Sequence, residues 1–209
     1  MRIRQAVSGL LFTVICVVLC AWIFPAAHSQ SGQPAPASKN LASSLLQKMV
    51  GTWNVQQRMW PGYGEAAVKL PPAIARRRMV EDIYLEEVME LETGSSEKPF
   101  NRTAYFNFNA VNHQYEYFSL DTRAPQMMSE KSHRVRTQGE SSYKGGIVLY
   151  GGRFVAPKWG KATNVAFTYR LKVGDIEKES QIVRLYFTPQ TGRNTKEFLA
   201  FEYLYTRQR

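Results

Sequence analysis

No cysteine follows Cys20. A chain that begins its mature life after residue 29 therefore has neither a disulfide nor thiol chemistry, and its stability must come from its core alone. Histidine is nearly as scarce, with only His113 and His133 beyond His28. Acidic residues such as Asp82, Asp121 and Glu130 are scattered without metal-ligand spacing, so no metal is expected. There is no G-x-S-x-G elbow, no phosphate loop and no H-E-x-x-H, and no catalytic residue is assigned. Basic tracts are also missing. The chain has 27 Lys+Arg against 17 Asp+Glu, and removing Arg2 and Arg4 leaves 25 against 17. The one tight basic run, Arg76-Arg77-Arg78, is soon followed by Glu81-Asp82 and Glu86-Glu87. Without a clustered footprint, nucleic acid is excluded as a partner, while the overall excess favours anionic over cationic small molecules.

The single long apolar run lies at the start. Arg2 and Arg4 precede Leu10 to Phe24, Pro25 ends the run, and Ala26-Ala27-His28-Ser29 supplies small residues for cleavage. This is the pattern of a secretory signal over residues 1–29, and the run falls short of the ~20 residues a membrane-spanning helix needs. Attachment of lipid at Cys16 or Cys20 is rejected because large residues, Ile15 and Leu19, precede them. The expectation is an exported protein, periplasmic or secreted, with no stable membrane span after cleavage. Residues 30–38, QSGQPAPAS, read as a flexible tether. Residues 39–209 read as one domain, large enough for a sizeable core.

Within that domain, Leu41, Leu45, Leu46 and Met49 recur at helical spacing, and Gly51 stands just past the end. The period then changes to two. Val165, Phe167, Tyr169, Leu171 and Val173 alternate with polar residues, the mark of a half-buried antiparallel strand. Similar alternation predicts strands near 52–60, 75–81, 83–91, 102–109, 114–120, 128–137, 146–154, 162–173, 180–188 and 197–207. The last places Leu199, Phe201, Tyr203, Tyr205 and Arg207 on one face. No strand–helix–strand alternation is visible, which argues against a parallel sheet. About ten strands with short connections predict an all-β, antiparallel up-and-down barrel with a short N-terminal helix, since closure removes exposed edges; a two-sheet sandwich is the alternative.

Gly51-Thr52-Trp53, directly after a helix and opening the first strand, resembles the calycins, the lipocalins and fatty-acid-binding proteins. That resemblance implies that Trp53 plugs the closed end of a barrel and that Arg207, on the last strand, lies across its ring. Residues from about Leu41 to Arg207 further resemble a bacterial exported lipocalin-like family of unknown function. The segments that carry this are GTWNVQQRMW (51–60), YLEEVM (84–89), AYFNFNAVNHQYEYFSLD (104–121) and ATNVAFTY (162–169). Some barrels of this shape hold haem through a late-strand histidine. The stretch 197–207 has none, so no cofactor is expected.

If Trp53 faces the lumen, Val55, Gln57 and Met59 do so too, and Tyr169, Tyr203 and Tyr205 face inward from their own strands. Glu87 shares a face with Ile83, Leu85, Met89 and Leu91, and a carboxylate on such a face must be paired or protonated. Its partner would be a lumenal Arg or Tyr, whether or not a ligand is involved. Gln57, Glu87, Tyr169, Tyr203 and Tyr205 are the candidate ligand-binding residues, with Trp53 and Arg207 closing the barrel. The stretch Ser119 to Met128 reads as a tight corner, with Met127 and Met128 as alternative lining for a barrel mouth. The expected function is binding of a small apolar or amphipathic molecule in the lumen. The alternatives are a barrel isomerase or hydrolase using a lumenal carboxylate, and a ligand-free envelope interaction protein.

Overall fold

In the computed structural model, residues 44–92, 99–134, 146–160, 162–190 and 195–209 are described, with backbone alone at 124–126. The expected signal sequence, the expected tether and the first turn of the expected helix lie outside these residues. Ten antiparallel strands form a closed barrel. They are β1 (Gly51–Met59), β2 (Val68–Val80), β3 (Tyr84–Leu91), β4 (Asn101–Asn109), β5 (Gln114–Asp121), β6 (Ala124–Ser132), β7 (Ile147–Trp159), β8 (Ala162–Gly174), β9 (Ser180–Pro189) and β10 (Phe198–Arg207). Each strand pairs with the next in sequence, and β1 pairs with β10 to complete the circle.

Alternation decides what faces inward. On β1, Trp53, Val55 and Gln57 are buried while Asn54, Gln56 and Arg58 are exposed. On β9, Gln181, Val183, Leu185 and Phe187 are buried in the same rhythm. Four register shifts interrupt the ladders, between β1 and β2, β5 and β6, β7 and β8, and β9 and β10. Between β1 and β2 the register slips by one residue around Pro71-Pro72, which lets β2 start at Val68, seven residues before the expected 75. Proline cannot donate to a ladder and is accommodated at such irregularities. In β10 the extra residue is Ala200, and Leu199 consequently turns outward, away from the face it was expected to share with Phe201 and Tyr203. In β7 the extra residue is Gly152, and Phe154 and Ala156 then take up the inward positions after Leu149 and Gly151.

Strand β6 also differs from expectation. It starts at Ala124, four residues before the expected 128, because the β5–β6 turn is only two residues long, Thr122 and Arg123; residues 135–137 of the expected strand lie outside the described residues. The Asp121 carboxylate accepts the Arg123 backbone N–H at 2.8 Å and fixes this corner.

One end of the barrel is plugged. A short helix, α1 (44–49), buries Leu46 and Met49 beside Trp53. The Trp53 indole N–H donates to the Met49 carbonyl at 3.0 Å. The Arg207 guanidinium lies 4.3 Å from the Trp53 ring centroid and donates to the carbonyls of Val50 (2.7 Å), Lys48 (2.9 Å) and Lys178 (2.6 Å). Gly51 makes this possible: its φ is +136°, and a Cβ there would overlap the guanidinium.

Candidate functional site: a lumenal cavity above a buried polar belt

Toward the other end the barrel is hollow. A cavity of about 480 Å³ lies among residues of β1, β2, β4 to β10, within the ~300–1,000 Å³ usual for small-molecule sites. Much of its wall is aromatic, with Phe154, Trp159, Phe187 and Phe201 packed on one another at centroid separations of 4.9 to 6.1 Å. Met59, Leu70, Met128, Leu171 and Leu185 extend the apolar wall, and a polar side is formed by residues that include Arg102, Tyr117, Asp121, Arg123 and Glu130. At the β5–β6 corner Arg123 pairs with Asp121 (2.6 Å), stacks 3.6 Å from the Phe100 ring centroid, and donates to the Gln57 Oε1 at 3.2 Å, bracing β5–β6 against β1.

Between the cavity and the plug runs a belt of buried polar groups. Arg77 Nε donates to Glu87 Oε2 at 2.7 Å, and its Nη2 lies 2.6 Å from the same oxygen. Arg77 also donates to Gln181 and lies 4.1 Å from the Tyr205 ring centroid. Arg102 donates to the Tyr117 hydroxyl and packs 5.3 Å from the Tyr203 ring centroid. A second, tight space of about 20 Å³ lies here among Arg77, Glu87, Arg102, Tyr117 and Tyr205, room for about one water.

The two buried carboxyls differ in state. Burial alone would raise the Glu87 pKa, but the charges of Arg77 and Arg102 outweigh it and hold Glu87 below the ordinary carboxylate range. Glu130 is only 1% exposed. Burial pushes its pKa up to about 8, offset only in part by the Arg102 charge and by a hydrogen bond with Tyr169. At neutral pH it is mainly a carboxylic acid, and its Oε2 has no hydrogen-bond partner. Burial likewise pushes the Tyr117 and Tyr169 phenols above their usual range.

The profile of a family described as "Protein of unknown function (DUF1579)" matches residues 41–205. The chain belongs to the DUF1579 family. No curated protein matches it significantly. Among solved structures, "Crystal Structure of Rv2717c from M. tuberculosis" is similar in fold, with a TM-score of 0.50 at 15% identity, covering 85% of this chain and 100% of that one.

In this DUF1579 barrel the residues singled out in the sequence separate into three groups. Tyr203 lines the large cavity. Glu87 and Tyr205 belong to the tight space beneath it. Tyr169 reaches the cavity only through Glu130, and Gln57 is a strut whose amide donates to the Pro71 carbonyl at 2.8 Å while its oxygen accepts from Arg123. Met128 lines the cavity, whereas Met127 faces solvent. Arg102 and Glu130 are among the charged residues of the belt and cavity that the alternation pattern did not bring forward as site residues. Their signal was the two-residue corner. Stepping by two outward from it puts Ser119 and Tyr117 of β5 and Met128 and Glu130 of β6 on the inner face, and a register shift between Leu120 and Asp121 makes Glu130 the cross-strand neighbour of Tyr117, which pairs in turn with Phe106. Among the described residues, no group of three or more His, Cys, Asp or Glu is placed to hold a metal ion.

Proposed function

We propose that this protein binds a small apolar or amphipathic molecule in the barrel lumen, and that it does so after export. The observation that carries the first part is the 480 Å³ cavity, with an aromatic wall on one side and Arg102, Tyr117 and Glu130 on the other. Burying an apolar body against Phe154, Phe187 and Phe201 supplies affinity at roughly 25 cal/mol per Å², and the few polar groups orient it. Export rests on the N-terminal signal pattern over residues 1–29.

Native mass spectrometry of protein purified from its own cells tests the binding reading. The expected result is a defined added mass that disappears on denaturation and is missing from an Ala156→Phe variant, whose new ring occupies the cavity. A folded wild-type protein that carries no added mass and gains none from a panel of amphiphiles would overturn it. Sequencing of the exported N-terminus tests the second part, with a start near residue 30 expected and a start at Met1 refuting it.

The enzyme alternative is favoured by one observation, the state of Glu130. Glu87 is locked between two arginines and held ionised, a poor proton donor. An acid with a pKa near 8 on a cavity wall has the poise that proton transfer needs. Chromatography of the molecule released after incubation would reveal an enzyme by conversion to a new compound, of altered mass for a hydrolase and of unchanged mass for an isomerase.

A further inference from the structure

We propose that the polar side of the cavity binds a singly charged oxyanion borne on an apolar body, held between the Arg102 guanidinium and the Glu130 carboxyl. This rests on the lumenal-binding reading and specifies the head group of its ligand.

The first observation is an incomplete pairing. Arg102 donates through Nη2 to Tyr117, but its Nη1 is buried with no hydrogen-bond partner. The nearest carboxylate oxygen, Glu87 Oε1, is 3.6 Å away, beyond hydrogen-bonding distance. Glu130 Oε2, in the wall of the same cavity, is likewise buried without a partner. Buried polar atoms are rarely left unsatisfied in a protein's working state. Both residues meet at Tyr117, which accepts the Arg102 hydrogen bond and is the cross-strand neighbour of Glu130. An acceptor group lodged here would satisfy Arg102 Nη1, and a neutral Glu130 would donate a second hydrogen bond.

The second observation is the charge count. Arg77 and Arg102 share one ionised carboxylate, Glu87. Asp121 and Arg123 neutralise each other at the corner, and Lys158 is exposed at the rim. With Glu130 protonated, the buried belt carries one uncompensated positive charge, an expensive arrangement away from water. One negative charge from outside balances it; a second would not be matched. An uncharged or cationic head group leaves the imbalance in place or worsens it.

Capture of the anion is then linked to the proton on Glu130. The groups facing this carboxyl are Arg102 from β4, Tyr117 from β5 and Tyr169 from β8, with Glu87 and Tyr203 further along the belt. Both phenols are held above the ordinary tyrosine range, so Glu130 is the group in this cluster that titrates near neutral pH. Once ionised, Glu130 supplies the missing negative charge itself and competes with the ligand for Arg102.

Calorimetric titration with dodecanoate, dodecanol and dodecyltrimethylammonium tests this, using wild type and Glu130→Gln from pH 6.5 to 9.5. Dodecanoate stays ionised throughout, so its own titration does not intrude. Dodecanoate is expected to bind wild type at least about tenfold tighter than dodecanol at pH 7, and to weaken about tenfold by pH 9.5. Dodecanol binding should be flat with pH, which controls for loss of fold. Glu130→Gln keeps an uncharged donor, and its dodecanoate affinity should no longer change over this range. Equal binding of dodecanoate and dodecanol, or an unaltered pH profile in Glu130→Gln, overturns the head-group assignment while leaving lumenal binding standing. Failure of all three probes to bind overturns lumenal binding itself, and this inference with it.

Discussion

Tyr169 reaches Glu130 by lying across Gly151. The three residues are cross-strand neighbours on β8, β7 and β6, Tyr169 opposite Gly151 and Gly151 opposite Glu130. A side chain on the middle strand would stand between the phenol and the carboxyl. Its absence lets the ring lie flat over the backbone and bring its hydroxyl into hydrogen bond with the acid.

Gly151→Ala is therefore expected to be costly even though alanine suits a strand better than glycine. Its Cβ would overlap the Tyr169 ring, which must swing away and release Glu130. Overpacking of this kind costs about 1–3 kcal/mol, and the lost hydrogen bond about one more. Urea denaturation at pH 7 should show a lowered midpoint. Gly151→Ala and Tyr169→Ala should together cost less than the sum of the two single substitutions, because the clash exists only while the ring is present.

Stability should depend on pH in a way that identifies Glu130. Its folded pKa of about 8 lies above the 4.5 of a free glutamate, so between these values the folded state holds a proton that the unfolded chain has released. Stability then falls as pH rises through this window, by up to about 1.4 kcal/mol per pH unit, and levels off above pH 8. Glu87 acts in the opposite sense. Its folded pKa is depressed, so its contribution is present above 4.5 and lost as pH falls through the folded value. The difference between wild type and Glu130→Gln, measured by denaturation at a series of pH values, should widen from pH 5 to 8 in favour of the variant. A constant difference would show that Glu130 is not held protonated.

At the plugged end, Arg207→Ala should cost about 2–4 kcal/mol. It removes a cation–π contact worth ~0.5–2 kcal/mol and leaves three backbone carbonyls without their donor. Arg207→Lys should restore only part, since an ammonium cannot stack and fork as a guanidinium does. Equilibrium denaturation measures both. Full restoration by lysine would show that charge alone matters.

The strands were legible because the inner faces are apolar and the outer faces polar, a contrast sharpest in β8 and β9. The positions that escaped were those where one residue changes the phase. Ala200 turns Leu199 outward, and nothing in Phe198-Leu199-Ala200-Phe201 marks the extra residue, since every member is apolar. Pro71-Pro72 concealed the first half of β2, because prolines read as a break where the barrel uses them at a bulge. Glu87 was conspicuous, standing among Leu85, Met89 and Leu91. Glu130 was not, because its neighbours Ser129, Lys131 and Ser132 are polar and its burial comes from what lies across the barrel: Tyr117, Gly151 and Tyr169. A carboxyl's surroundings in three dimensions cannot be read from a polar stretch of chain.

The pairing of β1 with β10 has a consequence for how this protein comes into being. Arg207 and the Val50 carbonyl it caps are 157 residues apart, and the two strands that close the circle are the first made and the last. Contacts of such sequence separation form late and slowly. Until β10 docks, β1 and β9 present unpaired edges to their surroundings, the kind of surface that recruits other chains. Closure thus comes last, and a chaperone that holds the unclosed barrel would find its binding surface on those two strands.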